Sequence, residues 1–298
     1  MSDYVFVKKQ PIEKGWSCDS KFCAETADGN KYLLRITPKE KSKTRYDMFR
    51  MQQKCAELGI PMCKPLEIGE CEEGVYTIQT WINGTDAEEI ITDLTEEEQY
   101  KYGYEAGMIL KQIHTIPAPE DQPDWELRFN QKMDRKIHMY QDCPIKFEGA
   151  EYLLDYIEAN RHLLKDRPQC YQHGDYHSGN LMIANGKLVV IDFDRYDFGD
   201  PWEEFNRIVW SAQCAPAFAS GMVDGYFDKN VPMEFWRLLA LYISSNMLSS
   251  VPWAIPFGED EINTMLNQAK DVMRWYDNMR NPVPTWYSLQ NITSNSQV

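Results

Sequence analysis

Three residues with oxygen-bearing side chains lie in one short stretch of the chain, HGDYHSGNLMIANGKLVVIDFDRYDFGDP. Asp175 and Asn180 are five residues apart, and Asp192 follows after twelve more. Carboxylate and amide oxygens are ligands that Mg²⁺ prefers, and this ion keeps several waters, so few protein ligands are needed. Kinases use an Asp as base, an Asn after four intervening residues and an Asp after a hairpin. The spacing therefore predicts phosphoryl transfer, with Asp175 as the base and Asn180 and Asp192 on magnesium.

The turn inside this stretch brings two of the three residues together. Asn185 and Gly186 separate two apolar runs, and a two-residue Asn-Gly loop favours a type I′ turn. This turn predicts a hairpin register with Asn180 opposite Ile191, so the backbones of Asn180 and Asp192 become neighbours at the open end. Strict strand geometry would direct their side chains to opposite faces. At least one of the two residues must therefore leave the ladder.

Short apolar runs separated by turn residues predict a β-rich unit ahead of this stretch. KFCAET and KYLLRI flank Asp28 and Gly29, a good hairpin signal, and PLEIGECEEGVYTIQTWI predicts two more strands. Between these pairs, apolar residues recur at helical spacing from Met48 to Leu58. We therefore expect residues 1–82 to form an antiparallel β lobe with one helix, which binds the nucleotide.

Helical patterns dominate the rest of the chain. Thr95 and Glu98 form a capping-box pattern before an apolar face, and similar periodicity recurs after residue 150 and after Pro201. The run LLALYISSNML is too short and too polar to span a bilayer. Residues 83–287 are expected to form a larger, mainly helical lobe with the catalytic and substrate sites, followed by a polar tail at 288–298. The predicted fold class is α+β.

Charge and cysteine content restrict the partners and the compartment. Residues 1–56 carry twelve Lys and Arg against seven Asp and Glu, whereas the remaining residues carry nineteen against thirty-nine. This balance argues against nucleic acid and anionic membranes as partners. The eight cysteines include no CxxC pair, and the N-terminal residues lack the apolar run of a signal peptide. We therefore expect reduced thiols and a cytoplasmic location.

The catalytic stretch resembles a known family of small-molecule kinases. HGDYHSGN followed by IDFDRYDFGDP is similar to the aminoglycoside phosphotransferase family, within the wider group of choline, fructosamine and homoserine kinases. The resemblance covers roughly residues 11–280 and implies a protein-kinase-like fold with two lobes. It also implies a contact of Asp194 near the metal, although this side chain could equally cap local backbone. For His173 it implies hydrogen bonds that hold the catalytic loop.

The resemblance also points to the phosphate side, where the chain departs from the family. The loop GWSCDSK offers Ser17 as a phosphate donor, but the third strand carries Arg35 where a Lys is expected. Arginine grips phosphate bidentately. Lys31 is the alternative cation. Asp47, on the following helix, is the best-placed acid to form the expected ion pair with Arg35.

The segment QTWING occupies the position of the hinge that holds a nucleotide base in the family. The resemblance implies contacts from Thr80, Trp81 and Ile82, with the tryptophan either bordering the base or packing in the lobe interface. Backbone contacts cannot be read from side chains, so ATP and GTP both stay open as phosphoryl donors.

Acidic and aromatic residues late in the chain are the candidates for binding the acceptor. In the resembling enzymes, acids from late helices bind substrate amines, which here points to Glu203, Glu259 and Asp260, with Trp253 as a wall. Glu203 and the cluster near 259 also fit ordinary helix starts.

The sequence thus predicts a magnesium-dependent phosphotransferase that uses ATP or GTP. Its acceptor is expected to be a hydroxyl of a small cationic molecule, foremost an aminoglycoside-type antibiotic. A metabolic kinase for choline, an amino acid or a sugar is the first alternative, and a catalytically impaired nucleotide-binding pseudokinase is the second. We expect a monomer or a simple homodimer.

Overall fold

A computed structural model of the chain describes residues 3–13 and 18–287, so the predictions for Ser17 and for the tail at 288–298 lie outside it. The strands, in chain order, are β1 Phe6–Pro11, β2 Ser20–Thr26, β3 Lys31–Pro38, β4 Pro65–Cys71, β5 Gly74–Thr80, β6 Thr85–Asp86, β7 Cys170–Gln172, β8 Leu181–Ala184, β9 Lys187–Val190 and β10 Asp197–Gly199. The α-helices are α1 Ser42–Glu57, α2 Ala87–Ile90, α3 Glu96–Ile113, α4 Trp125–Asp142, α5 Ala150–Asn160, α6 Ile208–Cys214, α7 Pro216–Phe227, α8 Met233–Ala254 and α9 Glu259–Trp275.

The chain divides into two compact units. Unit 1 contains Met1–Ala87 and Asn180–Tyr196, and unit 2 contains Glu88–Gly179 and the chain from Asp197 onward. The sequence predicts a single boundary after residue 82, with the β8–β9 hairpin in the helical lobe, whereas the structure places the hairpin in unit 1. The hairpin belongs to unit 1 because β8 pairs with β6 and the N–H of Val190 donates to the carbonyl of Pro61 at 2.8 Å.

The main sheet of unit 1 is antiparallel, with strand order β1-β2-β3-β5-β4. Both predicted strand pairs and the intervening helix α1 are present. The β2–β3 turn closes where the N–H of Gly29 donates to Thr26, and Gly29 has φ +82°, which suits glycine. Ala24, Leu34 and Ile78 form the buried apolar cluster of this sheet. Alternation along β3 places Arg35 on the opposite face, where it contacts Asp192 and Asp194 of the segment after β9.

The β8–β9 hairpin has the predicted register. Ala184 pairs with Lys187, and Leu181 pairs with Val190. Asn185 and Gly186 have φ values of 52° and 72°, as a type I′ turn requires. The register prediction is therefore confirmed.

Unit 2 is mainly helical, which confirms the predicted α+β class for the chain as a whole. The capping box at Thr95 is present, with the side chain of Glu98 accepting the N–H of Thr95 at 3.0 Å. Helices α3 and α7 pack closely because both carry glycines at the contact. A Cβ on Gly103 would collide with the carbonyl of Phe218, and one on Gly225 with that of Tyr104.

Helix α8 lies in the core of unit 2. The prediction that its apolar run is too short and too polar for a bilayer is wrong on length and composition, because Met233–Phe257 passes that test among the described residues. However, 67% of its most apolar part is buried inside the protein, as in a core helix. Helix α4, which packs against α8, was not predicted.

Candidate functional site in two parts

In unit 2, the loop that carries Asp175 follows β7, and one buried carboxylate accepts two of its backbone N–H groups. Glu204, whose relative exposure is 2%, accepts the backbone N–H of Gly174 at 2.9 Å and that of Tyr176 at 3.4 Å. Buried backbone donors need such partners. The two residues that flank Asp175 are therefore fixed by one side chain. Glu204 stands next to Glu203 in the motif DPWEEF, and its contact with the loop was not predicted from the sequence.

Further hydrogen bonds fix the same loop. The N–H of Asp175 donates to Nδ1 of the fully buried His173 at 3.3 Å, so this histidine makes a contact of the kind expected of it. The hydroxyl of Tyr176 donates to the carbonyl of Ala106 at 2.8 Å, and the N–H of Ser178 donates to the Ser211 hydroxyl at 3.2 Å. A carboxylate on a loop anchored in this way has a restricted direction, as a general base requires.

Two basic side chains surround the Asp175 carboxylate within unit 2. Arg207 Nε lies 3.3 Å from Oδ1, and His177 Nε2 lies 3.7 Å from the same oxygen. The N–H of Gly179 donates to Nδ1 of His177 at 3.1 Å, so the neutral ring carries its proton on Nε2, facing the aspartate. Arg207 was not singled out from the sequence.

In unit 1, Asn180 and Asp192 lie at the open end of the β8–β9 hairpin. The N–H of Ile191 donates to the carbonyl of Asn180 at 3.0 Å, which extends the ladder by one step. Both predicted metal ligands then leave strand geometry, because Asn180 ends the 3-10 segment Ser178–Asn180 and Asp192 has φ 62°. This removes the opposite-face constraint of a continued strand.

The chemistry of this pair suits a magnesium ion. The Asp192 side chain is 45% exposed, and an amide oxygen beside a carboxylate is a donor set that Mg²⁺ accepts together with waters and phosphate oxygens. Among residues 3–13 and 18–287, no cluster of three or more His, Cys, Asp or Glu has metal-site geometry. Two protein donors of this kind therefore fit a metal that binds together with a nucleotide, instead of an ion enclosed by the protein alone.

Arg35 lies on β3 in unit 1 and is almost completely buried, at 6% exposure. Its guanidinium contacts the carboxylate of Asp194, and it lies 3.4 Å from Asp19 and 3.6 Å from Asp192. Its buried Nε has no hydrogen-bond acceptor among the described residues. An orphaned buried donor is costly, and a phosphate oxygen would satisfy it.

The expected ion pair between Arg35 and Asp47 is wrong. Asp47 pairs with Arg50 at the exposed surface of α1. The residue of α1 on this side is a cation, Arg45. It donates to Asp194 Oδ1 at 2.7 Å and also to Asp19, the same two carboxylates that contact Arg35. Two arginines on neighbouring elements repel each other. The carboxylates that compensate them come from outside α1, from Asp19 and Asp194.

These four side chains form a closed ring of alternating charge. Asp194 and Asp19 each contact both Arg35 and Arg45, and Arg45 Nε additionally donates to Thr37 at 2.8 Å. Burial, followed by the field of Arg35, lowers the pKa of Arg45 to about 10. Asp194 therefore has a definite role as a bridge between two arginines, which is neither of the roles considered from the sequence.

A second cation lies beside Arg35. Lys21 on β2 is its direct cross-strand partner, so both side chains lie on the same face of the sheet. Burial, followed by the field of Arg35, lowers the pKa of Lys21. The alternative cation Lys31 instead lies at the exposed start of β3, opposite Glu25. The register of the β2–β3 hairpin would have identified Lys21 from the sequence.

The hinge candidates lie at the end of β5 in unit 1 and directly after it. The N–H of Thr80 donates to the carbonyl of Lys64 at 3.0 Å, and its hydroxyl accepts the N–H of Lys64 at 2.9 Å. Both of these groups of Thr80 are therefore hydrogen-bonded to Lys64, the residue before β4. Trp81 and Ile82 are partly exposed.

The candidate acceptor-binding residues of unit 2 have contrasting environments. Glu203 is buried and accepts from Lys132 at 2.9 Å and from Gln172 at 3.2 Å, so its carboxylate is already paired with a cation and its contact with a substrate amine stays a prediction. Glu259 and Asp260 are exposed in the first turn of α9. Trp253 is 44% exposed and lies 4.8 Å from the Phe257 ring.

The chain is similar to known proteins over most of its length. A model described as the phosphotransferase enzyme family, APH, matches residues 9–239. No curated protein matches the sequence. Among solved structures, a thermostable variant of aminoglycoside phosphotransferase APH(4)-Ia in complex with ADP and hygromycin B has a TM-score of 0.65 and 18% identity, over 90% of this chain and 94% of that one.

Two further structures are similar over most of their length. The gentamicin complex of APH(2″)-IIa has a TM-score of 0.61 and 14% identity, over 88% of this chain and 91% of that one. Amicoumacin kinase hAmiN, in complex with AMP-PNP, Ca²⁺ and Ami, has a TM-score of 0.66 and 14% identity, over 94% and 92%. At these identities the structures establish a shared fold.

Proposed function

Because the chain belongs to the phosphotransferase enzyme family and is a kinase, we propose that it moves the γ-phosphoryl group of a nucleoside triphosphate onto a hydroxyl of a small molecule. The observation that carries the proposal is Asp175 on a loop whose flanking N–H groups are both held by the buried Glu204. Such anchoring fixes the direction of a carboxylate that serves as a proton acceptor.

Asp175 takes the proton of the acceptor hydroxyl as its oxygen bonds to the γ-phosphorus. The bond from this phosphorus to the bridging oxygen of the nucleotide breaks, and the nucleoside diphosphate leaves with the electron pair. Most of the catalysis in such a transfer is positioning and charge stabilisation. His173, Ser211 and Glu204 contribute by holding the loop still.

The residues of unit 1 are proposed to bind the nucleotide. Arg35 offers its unsatisfied Nε to a phosphate oxygen, and Lys21 supplies a second positive charge on the same sheet face. Asn180 and Asp192 would hold Mg²⁺, which supplies charge neutralisation on the phosphates when bound.

ATP is the first phosphoryl donor to test, because the neighbouring structures contain ADP or AMP-PNP. GTP is the second. Trp81 and Ile82 are proposed to border the base, while the N–H of Thr80 is already used within the sheet. The cytoplasmic location and the monomeric or homodimeric state stay predictions from the sequence.

The acceptor class has two candidates. An aminoglycoside-type acceptor is supported by the hygromycin B and gentamicin in the neighbouring structures and by the exposed Trp253, Glu259 and Asp260. A metabolic acceptor that carries an anionic group is favoured by a different observation, the contact of the cationic Arg207 with Asp175.

A panel of acceptors tests the proposed function. Purified protein with Mg²⁺ and either ATP or GTP is incubated with gentamicin, hygromycin B, choline, homoserine and glycerate, and both released diphosphate and phosphorylated product are quantified. We expect stoichiometric product with at least one acceptor. Nucleotide binding without product from any acceptor would favour the impaired pseudokinase instead.

A further inference from the structure

Two lysines lie one turn apart on helix α4 of unit 2 and have different partners. Lys132 Nζ lies 2.9 Å from Glu203 Oε1, which neutralises it. Lys136 Nζ lies 3.2 Å from Oδ1 of Asn246 on α8, a neutral side chain. Among the residues that the structure describes, Lys136 has no carboxylate within ion-pair distance.

The environment of Lys136 disfavours its positive charge. Burial, followed by the field of Lys132, lowers the pKa of Lys136 to about 7, and the fields of Arg207 and Arg135 act in the same direction. The opposing field of Glu203 does not compensate. A partly buried ammonium whose polar partner is an amide is costly to maintain unless an anion joins it.

A third cation connects this pair to the catalytic base. Arg207 ends the 3-10 segment Glu203–Arg207, and its Nε lies 3.3 Å from Asp175. Burial acts to raise the pKa of Glu203, but the fields of Lys132, Lys136 and Arg207 together hold that pKa below its ordinary value. All three cations therefore act on one carboxylate, which places Lys136 in the same neighbourhood as Arg207 and Lys132. Lys132 is paired with Glu203 and Arg207 with Asp175, so Lys136 is the one cation of the three without an acidic partner among the described residues.

We propose that Arg207 and Lys136 bind an anionic group of the acceptor, a carboxylate or a phosphate, so that the acceptor is a hydroxylated anion. This inference rests on the proposed function and names the substrate class for the same site. The planar fork of arginine donates hydrogen bonds to two oxygens of such a group, and lysine adds a point charge. The incoming anion takes over Arg207 from Asp175, and the aspartate is left to receive the hydroxyl proton.

The transferred phosphoryl group of the nucleotide has the same chemistry as an acceptor anion. The two sources differ in which Michaelis constant they affect. An acceptor subsite raises the KM of the acceptor when a cation is removed, whereas a nucleotide contact raises the KM of ATP.

The first experiment measures anion binding directly, without nucleotide. Inorganic phosphate and glycerate are titrated by calorimetry into the wild type, Arg207→Gln, Lys136→Met and the control Arg128→Gln. Arg128 is a partly exposed arginine of unit 2 that pairs with Asp197 at 3.0 Å, as Arg207 pairs with Asp175. We expect each of the two test variants to weaken anion binding by about tenfold or more, which corresponds to one lost charged contact, and the control to match the wild type.

The second experiment compares matched acceptors in the wild type and in the same variants. Glycerate is paired with glycerol, homoserine with homoserine amide, and gentamicin and hygromycin B represent cations. We expect turnover to require the anionic member, and both variants to raise the acceptor KM while the KM of ATP changes less than about twofold. Circular dichroism and thermal unfolding establish that each variant is folded.

Several results would overturn the inference. Equal phosphate binding by the wild type, Arg207→Gln and Lys136→Met removes the subsite, and an increase confined to the KM of ATP assigns the cations to the nucleotide. Phosphorylation of gentamicin or hygromycin B, undiminished in Arg207→Gln, leaves the proposed function intact and rejects the anionic acceptor. Absence of product from every compound rejects the proposed function, while the calorimetric comparison still decides whether the cations bind an anion.

Discussion

The carboxylate of Glu204 accepts the backbone N–H of Gly174 at 2.9 Å, one residue before the proposed base. The same carboxylate also accepts the N–H of Tyr176 on the other side of Asp175. A side chain in the core of unit 2 thus determines the backbone of the catalytic loop without contacting the reacting atoms. Glu204 is a positioning residue, and its removal should affect turnover more than nucleotide binding.

The first prediction concerns this contact. Glu204→Gln retains a carbonyl oxygen that accepts one N–H, whereas Glu204→Ala leaves both buried donors unsatisfied. We expect Glu204→Ala to lower the free energy of unfolding by about 1–3 kcal/mol and kcat by about 10²-fold, with the glutamine variant intermediate. Urea unfolding and steady-state kinetics measure both quantities. Equal kcat in the wild type and Glu204→Ala would show that the loop does not depend on this side chain.

The second prediction concerns the ring of charges formed by Arg35, Arg45, Asp19 and Asp194. Replacing one buried member leaves its partner uncompensated, so Arg45→Met and Asp194→Leu should each destabilise the protein by about 3–5 kcal/mol. The double variant should be more stable than the sum of the single effects predicts, because it removes opposite charges together. Chemical denaturation of all four proteins in the cycle measures the coupling. Strictly additive effects would contradict an energetic link between the two residues.

The third prediction concerns the metal ligands. Asp192→Ala and Asn180→Ala should weaken Mg²⁺-dependent nucleotide binding, while binding of the nucleotide in EDTA changes little. Asp47→Ala is the control, since Asp47 pairs with Arg50 at the surface, and it should behave as the wild type. Calorimetry with and without Mg²⁺ separates these cases. Unchanged Mg²⁺-dependent affinity in Asp192→Ala would reject its metal role.

The fourth prediction concerns pH. Because the pKa of Lys136 is lowered from 10.5 to about 7, the unfolded chain binds one proton more than the folded chain between these values, and this residue makes stability rise with pH there. Below pH 7 both states carry the proton, and the cost of burying the charge is fully present. Removing the ammonium in Lys136→Met should therefore stabilise the protein most at pH 6, and this advantage should decrease toward pH 10.

The size of this change follows from the pKa shift. With about 1.4 kcal/mol for each pKa unit, and allowing for partial solvent access, the difference in unfolding free energy between Lys136→Met and the wild type should change by about 2–4 kcal/mol across the window. Other titrating groups cancel because both proteins contain them. A difference that is constant from pH 6 to pH 10 would show that Lys136 keeps its ordinary proton affinity.

Turn residues and short apolar runs in the sequence were sufficient to predict the β2–β3 and β8–β9 hairpins. Asn185-Gly186 determines the register that places the carbonyl of Asn180 against the N–H of Ile191. The conflict over strand faces was also correctly anticipated, since Asn180 and Asp192 both leave the ladder. These features depend on residues that are close in the sequence, which is why the sequence predicts them.

Contacts between residues far apart in the sequence could not be predicted in the same way. The acid expected on α1 is replaced by Arg45, and its carboxylate partners come from Asp19 and Asp194, 26 and 149 residues away. Only tertiary structure brings such residues together. Helix α4 is a different case, because Trp125, Phe129 and Met133 recur at intervals of four and could have been recognised.

The most direct measurement of the central claim is single-turnover phosphoryl transfer by Asp175→Asn, using the acceptor that the wild type converts fastest. Asp197→Asn, which changes an exposed carboxylate of unit 2, is the control. The account predicts that Asp175→Asn transfers phosphate about 10²–10⁴-fold more slowly, with the dissociation constant of Mg²⁺–ATP and the fold unchanged. Transfer by Asp175→Asn at the wild-type rate would contradict the assignment of Asp175 as the base.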